Sequence, residues 1–520
     1  MNDMDHETAA GHGSSRRDDP PHYDVVIMGA GLSGIGAAYR LQTECPGKTY
    51  AILEARDSIG GTWDLFRYPG VRSDSDMFTL GYQFKPWHGT KALADGETIL
   101  SYVRQTAAEF DIERRIRFAS RVVGADFDTA TATWTLTVER RGAAGISQHT
   151  VTCGFLYSCA GYYDYDRGHE PAFPGVEDFA GTVVHPQFWP GDLDYAGERV
   201  VVIGSGATAV TIVPAMAEQA GHVTMLQRTP TWIASLSGRD KFADWCRRRL
   251  PSKVAHRLVR TKNIAFGTVS YQWCRRFPGA ARRLLTGLAA KVLGDRRLVA
   301  EHFTPPYDVW DQRVCAIPDG DLFRAVKAGR ADVVTDHIDR FVAGGIRLRS
   351  GRVLEADIIV TATGLRLRAF GGVAPAVDGV EVALPEQFVW RGAMLTGIPN
   401  FAICIGYTNA SWTLRADLTS RLVCKVLKWM DRHDYAAVVP YPDRELEEHP
   451  LLDLASGYVR RSIDDFPRQG PRAPWRMRQN YALDAATTMR ANLRRGLRPT
   501  PRRALCPPAG MFSGEVGNNA

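Results

Sequence analysis

The sequence predicts an α/β fold built from two nucleotide-binding domains, one inserted into the other. Three observations carry this. The apolar run Tyr23–Met28 passes directly into Gly29-Ala30-Gly31-Leu32-Ser33-Gly34 and then into a helical pattern. A second apolar run, Val200–Ile203, does the same through Gly204-Ser205-Gly206-Ala207-Thr208-Ala209. Finally, a strand-then-helix unit, Phe401–Gly406 followed by Leu414–Met430, arrives late and needs a sheet to join. Strand, glycine turn and helix in that order mark a Rossmann-like dinucleotide cassette. The first cassette is the natural host for the returning unit, so its domain is discontinuous and the second is nested within it. The implied division is a tail at 1–22, a first part at 23–165, a crossing at 166–190, a nested domain at 191–365, a return at 366–495 and a tail at 496–520.

In the first cassette Gly29 permits the tight turn, Gly31 lets backbone approach a pyrophosphate and Gly34 lets the helix pack on the strand. Free amides at the helix start favour the phosphates, with Ser33 among them. The next strand, Thr49–Leu53, ends in Glu54. An acid about 20 residues beyond the glycines holds a ribose hydroxyl pair and repels a 2′-phosphate, which suits FAD or NAD. Gly60-Gly61-Thr62-Trp63-Asp64-Leu65 then offers close backbone approach and a flat wall for a ring system. Arg72 and Asp74 follow in a loop bounded by Pro69 and Gly70, a setting where functional side chains concentrate; a plain surface turn is the alternative. Residues 97–110 predict a helix. Phe118–Phe127, which contains Val122, and Thr133–Glu139 predict strands, and Leu156–Gly161 predicts the strand that closes this half.

The crossing contains His185 between Pro186 and Trp189-Pro190, a stiff aromatic context. Its roles are structural coupling of the two cassettes or direct contact with a cofactor. In the second cassette the strand Val223–Gln227 ends in Arg228 and Thr229, with no acid. An arginine there suits the 2′-phosphate of NADPH; a salt-bridged surface arginine is the alternative. Residues 236–300 predict a mainly helical insertion with basic faces and Trp245, Trp273 and Phe277. Solvated helix faces or contact with a membrane surface both fit it. A loop with Arg313 then enters a helix at Leu322, and Val353–Thr361 predicts the last strand of the nested domain.

Composition narrows the function. At 520 residues, 45% hydrophobic and 23% charged, the chain is an ordinary globular protein of more than one core. A net charge of +7 without a basic nucleic-acid module gives no reason to expect a nucleic-acid partner. Nine cysteines stand singly, with neither a zinc spacing nor a redox pair, so reduced thiols, a cytoplasmic setting and no metal site are expected. No run approaches the ~20 apolar residues of a membrane span, and Met1–His22 has no apolar core of a signal peptide.

These residues resemble the Baeyer–Villiger branch of the flavin-containing monooxygenases. Phe179, Gly181, His185, Trp189 and Pro190 match that family's fingerprint F-x-G-x-x-x-H-x-x-x-W-P. GGTWDLFRYPGVRSDSDM, GSGATAV, WDQR, GDLFRA, TATGL and GYTNASWTL are similar to one subgroup, the mycobacterial ethionamide-activating monooxygenases and their actinobacterial relatives. The likeness runs from about Tyr23 to about Tyr481. It implies FAD on the first cassette and NADPH on the second. NADPH would reduce the flavin, and O2 would add to it as a peroxide that inserts one oxygen into a ketone, giving an ester or lactone. Sulfides or thioamides would be oxidised at sulfur. The resemblance places the active-site aspartate on Asp74 and the essential arginine on Arg313. Physics agrees, because an oxyanion beside a flavin needs a cation that never titrates. His185 falls on the fingerprint histidine, better regarded as a coupling residue than as a base. Many family members carry Lys before the essential arginine, where this chain has Gln312, which leaves Arg228 more of the phosphate binding. A nitrogen- or sulfur-oxygenating monooxygenase on the same scaffold is the alternative. A flavin disulfide reductase lacks its cysteine pair here, and a non-catalytic flavoprotein would not need this set of site residues.

Overall fold

The computed structural model describes residues 20–142, 145–452 and 454–505. Of the tails expected at 1–22 and 496–520, residues 1–19 and 506–520 lie outside the described residues, and His22 already belongs to the first strand, His22–Met28.

The first domain is organised on an eleven-stranded sheet. At its centre His22–Met28 runs parallel to Tyr50–Leu53 on one side and to the end of Gly145–Ser158 on the other. The strand is buried along its inner length because both faces are covered, and Val25, Val26 and Ile27 are fully enclosed. Buried on both faces, a parallel strand reads as a continuous apolar run rather than an alternation. The strand Gly145–Ser158 is longer than the expected Leu156–Gly161, and beside His22–Met28 it serves two further neighbours. Its first half pairs antiparallel with Thr133–Gly142, and its last residues pair with Phe401–Ile403. The late strand thus joins the first sheet, as a discontinuous domain requires. The helix that follows, Trp412–His433, lies against the first-cassette helix Leu32–Glu44, and Arg40 Nε donates to Asp417 Oδ1 at 2.8 Å across the contact.

The nested domain holds a five-stranded parallel sheet in the order 331–335, 222–227, 199–203, 358–360, 182–184. Its last strand, Thr182–Val184, comes from the crossing and pairs with Ile358–Val360. A second piece of the crossing starts in Tyr163–Gly168, which pairs antiparallel with Leu365–Leu367. The crossing is therefore pinned by strands at both ends rather than being a free connection. The single strand expected over Val353–Thr361 is two. Val353–Glu355 belongs to a three-stranded antiparallel sheet and Ile358–Val360 to the parallel one. The break falls at Asp357, whose carboxylate takes the backbone N–H and guanidinium of Arg199 at 2.7–2.9 Å.

The insertion folds as four helices, Lys241–Arg249, Ser252–Arg276, Pro278–Leu293 and Arg296–His302. Their ends follow capping chemistry. Asp240 accepts from Ala243 N, Pro278 opens its helix at the first turn, and Gly294 closes it in the left-handed conformation. One expectation needs correction. The stretch from 496, expected as a tail, contains the strand Leu497–Pro501, paired antiparallel with Tyr435–Pro440. Pro499 and Pro501 hid it. Proline is tolerated there because the sheet has only two strands, so each has an edge that needs no donor.

Candidate active site and cofactor cradles

Both glycine turns open onto one cavity of about 1510 Å³ between the two sheets. Its wall includes Gly29, Gly31, Ser33, Glu54, Gly61, Thr62, Trp63, Arg72, Asp74 and Val122 from the first domain. Gly204, Ser205, Gly206, Ala207, Thr208, Arg228, Thr229 and Arg313 line it from the second. Five of the residues expected at the site do not line this cavity: Gly34, Asp64, Leu65, His185 and Ala209.

Each of those five is engaged elsewhere. Gly34 is packing rather than contact, since a Cβ there would stand 1.9 Å from the carbonyl oxygen of Gly29. Ala209 is fully buried at the equivalent place in the second cassette. Asp64 anchors the loop below the cradle. Arg56, Arg67 and Arg104 reach it at 2.6, 2.9 and 3.0 Å, and Ser58 donates to it at 2.5 Å. Burial pushes the Asp64 carboxyl up, but these hydrogen bonds and charges outweigh it and leave the group below its ordinary range. Leu65 packs into the apolar cluster of the second domain together with Phe66 and Tyr68, so this loop joins the domains.

The first cradle ends in Glu54, which is buried and whose Oε2 accepts from Ala30 N at 2.6 Å and Oε1 from Arg56 N at 2.9 Å. Burial raises its pKa against the pull of those two amides. Each oxygen keeps a lone pair for a ligand hydroxyl. Ser33 is held from the return segment, because Trp412 Nε1 donates to its hydroxyl at 2.7 Å. Thr62 shares a hydrogen bond with Tyr165 at 3.1 Å. Arg72 donates to Asp321 and so ties the first-domain loop to the helix Asp321–Lys327.

The second cradle is more open. A Cβ added at Gly206, which caps the start of the helix Ala207–Met216, would meet nothing within 4 Å, so the turn is open there. The Ser205 hydroxyl donates to Thr229 O at 2.9 Å, linking the turn to the end of the next strand. Arg228 has no acidic partner among the described residues. Its neighbour is Arg461, whose pKa is depressed first by burial and then by the charge of Arg228. Both arginines line the cavity. Two cations close together without an acid fit a bound phosphate, while Glu54 and the Gly31 turn fit a dinucleotide with free ribose hydroxyls. The residues present thus fit FAD in the first cradle and NADPH in the second.

Between the cradles, Asp74 and Arg313 meet as a bidentate pair. Arg313 Nε donates to Asp74 Oδ2 at 2.8 Å and Nη2 to Oδ1 at 2.9 Å. Their side chains are 31% and 23% exposed, and the exposed part faces the cavity. The charge of Asp74 holds Arg313 firmly in its protonated form against the cost of burial. Tyr162, Tyr163 and Tyr458 surround the pair. Burial pushes all three phenols up, while Arg313 pulls the other way. Tyr162 also packs on Trp412, ring centres 5.0 Å apart. Sequence reasoning missed four wall residues: Tyr162, Tyr458 and Arg461, which no motif marks, and Trp412, which stands in GYTNASWTL without a role assigned to it.

His185 lies within the crossing, against another of its residues, Gly168. Its Nδ1 accepts from Gln187 N at 3.2 Å, and its ring packs on Gly168, where an added Cβ would lie 2.2–2.7 Å from the imidazole. Burial lowers its pKa.

The family model described as flavin-binding monooxygenase-like matches residues 86–249, and that of an NAD(P)-binding Rossmann-like domain matches residues 27–90. The FAD-containing monooxygenase EthA of Mycobacterium tuberculosis is 51% identical over 487 residues, covering 92% of this chain and 99% of the relative. EthA of Mycolicibacterium smegmatis is 52% identical over 465 residues, covering 89% and 94%. Among solved structures, an oxidised steroid monooxygenase bound to NADP shares the fold, with a TM-score of 0.71 at 22% identity over 92% of this chain and 100% of that one. Identity above half along nearly the whole of both chains leaves one conclusion: this chain belongs to the flavin-binding monooxygenases, in the group of the FAD-containing EthA enzymes.

Proposed function

We propose that the chain is an FAD- and NADPH-dependent Baeyer–Villiger monooxygenase that inserts one atom of O2 into ketones and also oxidises sulfur in thioamides or sulfides. The observation that carries this reading is the Asp74–Arg313 pair, facing a cavity onto which both glycine turns open. Bound FAD, reduced by NADPH, would supply the oxygen-activating chemistry. The chain's own residues supply the electrostatics. Arg313 presents a permanent positive charge to an oxyanion forming at a reacting carbonyl, in a site walled by aromatic rings where such a charge acts strongly. Asp74 fixes the guanidinium plane through two hydrogen bonds, so the charge needs no reorganisation during reaction. His185 braces the crossing from within, through Gly168 and Gln187, and so couples the two domains. We place the reaction in the cytoplasm, where cysteines without disulfide spacing stay reduced.

The test is product analysis. Purified, FAD-loaded protein is given NADPH, O2 and a panel of aryl and alkyl methyl ketones, sulfides and a thioamide. Esters are expected from the ketones, and S-oxides from the sulfur compounds. Arg313→Ala is expected to abolish the esters. S-oxides with no ester from any ketone would replace this reading with a sulfur- or nitrogen-oxygenating enzyme, and wild-type ester rates in Arg313→Ala would remove Arg313 from the chemistry.

A further inference from the structure

The helical insertion carries a surface that the oxygenation site does not use. Of the 21 large apolar side chains exposed among the described residues, ten lie between 242 and 288. They are clustered rather than scattered. Phe242 and Trp245 stack on each other at 6.1 Å, and the Lys262 ammonium lies 5.2 Å over the Phe242 ring, joining the pair to the middle of the long helix Ser252–Arg276. Along that helix Leu258, Phe266, Val269 and Trp273 stand outward at helical spacing, Phe266 and Val269 at 67% and 66% exposure. Such an exposed apolar cluster marks an interaction surface.

Its charge identifies the partner. Residues 241–294 contain thirteen Lys or Arg and one acid, Asp244, which Arg239 and Arg247 already neutralise. The whole chain carries only +7, so the rest of it is net acidic. Arg248, Arg249, Lys253 and Arg257 are exposed and have no acidic partner among the described residues. A second copy of this face would repel it. Aromatic and aliphatic side chains beside unpaired cations are the composition of a surface that lies in the headgroup layer of an anionic bilayer. No described helix is long and apolar enough to cross a membrane, so the contact is with the surface. We propose that the face formed by helices Lys241–Arg249 and Ser252–Arg276 docks on anionic lipid bilayers.

The docking helix is wired to the Asp74 loop. Buried Arg260 donates to the carbonyls of Phe78 and Gly81, each at 2.8 Å, and Asn263 donates to Asp76 Oδ1 at 2.9 Å. A docked enzyme therefore holds the loop that carries Asp74 close to lipid, where apolar substrates concentrate. This consequence rests on the role assigned to Asp74; the docking does not, and vesicle binding is measured without turnover, so the two fail separately.

The experiment is co-sedimentation of the full-length, FAD-loaded protein with phosphatidylcholine vesicles, with and without phosphatidylglycerol. Binding is expected with phosphatidylglycerol and not with phosphatidylcholine alone, and it is expected to be lost in high salt. Each charge removed by Arg248→Gln or Arg257→Gln should lower partitioning by about fivefold. A Phe266→Ser, Val269→Ser, Trp273→Ser variant should lose binding while keeping its FAD, since these side chains are outside the cavity. Wild-type protein that stays in the supernatant with anionic vesicles at low salt overturns the proposal. So does unchanged binding of either set of variants. If the serine variant instead breaks an oligomer in light scattering and still pellets with vesicles, the face belongs to a second copy of the chain.

Discussion

The two glycine cassettes are built on one plan but finished in opposite ways. The first closes tightly: its third glycine, Gly34, leaves no room for a Cβ, and its acid, Glu54, is buried with both oxygens already on backbone amides. The second places Ala209 where the first has Gly34, leaves Gly206 facing open space, and ends in an arginine with no acidic partner among the described residues. A preformed acceptor in a closed cradle suits a cofactor that stays. A free cation in an open one suits a cofactor that exchanges. The difference between the cassettes is thus a difference in how much of each site is organised before its ligand arrives.

The sharpest way to break that contrast is at the third small residue. Gly34→Ala puts a methyl group 1.9 Å from the Gly29 carbonyl, so helix and turn must part. The expected result is protein purified without flavin, measured by its visible absorbance. Ala209→Gly in the other cassette removes nothing that touches the cavity. It should cost about 1 kcal/mol of helix stability and leave NADPH binding intact. Equal damage from both changes would mean that the two cradles are packed alike.

Next in size is Glu54→Ala. It leaves the buried amides of Ala30 and Arg56 without their acceptor, at about 1–3 kcal/mol each. FAD affinity is expected to fall by roughly two orders of magnitude on that ground, measured by flavin fluorescence on dilution. Glu54→Gln keeps one carbonyl acceptor and should recover part of the loss. If Glu54→Ala binds FAD normally, the cradle is not organised through this carboxylate.

A smaller effect is expected in the open cradle. Arg228→Ala should raise the KM for NADPH by about 10- to 100-fold, the weight of charge-assisted hydrogen bonds to a phosphate, and leave that for NADH unchanged. Arg461→Ala separates two placements of the neighbouring cation. A loss confined to NADPH puts Arg461 on the 2′-phosphate with Arg228. A loss shared with NADH puts it on the pyrophosphate.

The same contrast explains what the sequence could reveal. Glu54 and Arg228 stand at the ends of strands that follow glycine turns, so a local pattern locates them. Asp74 and Arg313 are 239 residues apart, and only the resemblance paired their roles; no spacing predicts that contact. Tyr458 and Arg461 sit in a stretch whose only α-helix among the described residues is Gly457–Arg460, too short for any periodicity to show. The crossing was legible as a fingerprint but not as structure, because Thr182–Val184 has three residues and takes its place from the strand it pairs with. His185 was visible as a residue, while its position under Gly168, away from the cavity, depends on the backbone fold of the crossing.

That position makes the smallest prediction the one that tests whether the two cassettes communicate. Nδ1 of His185 accepts from Gln187 N, so a proton on Nδ1 breaks that bond and sets two N–H groups against each other. Burial lowers the pKa below its ordinary 6.5, so the unfolded chain binds this proton more readily than the folded one. The stabilisation is therefore present above pH 6.5 and is lost as pH falls through the folded-state value. Acidification in that window should loosen the crossing before it unfolds either domain. Hydrogen exchange at Gln187 should accelerate as pH drops, beyond the intrinsic pH trend seen at amides elsewhere. NADPH oxidation should become less tightly tied to product, with more reducing equivalents lost to hydrogen peroxide. In His185→Asn, whose side chain keeps an acceptor but cannot titrate, both changes should flatten. If the variant keeps the wild-type pH dependence, the crossing is only a structural strap, and the closed and open cradles work without coupling through it.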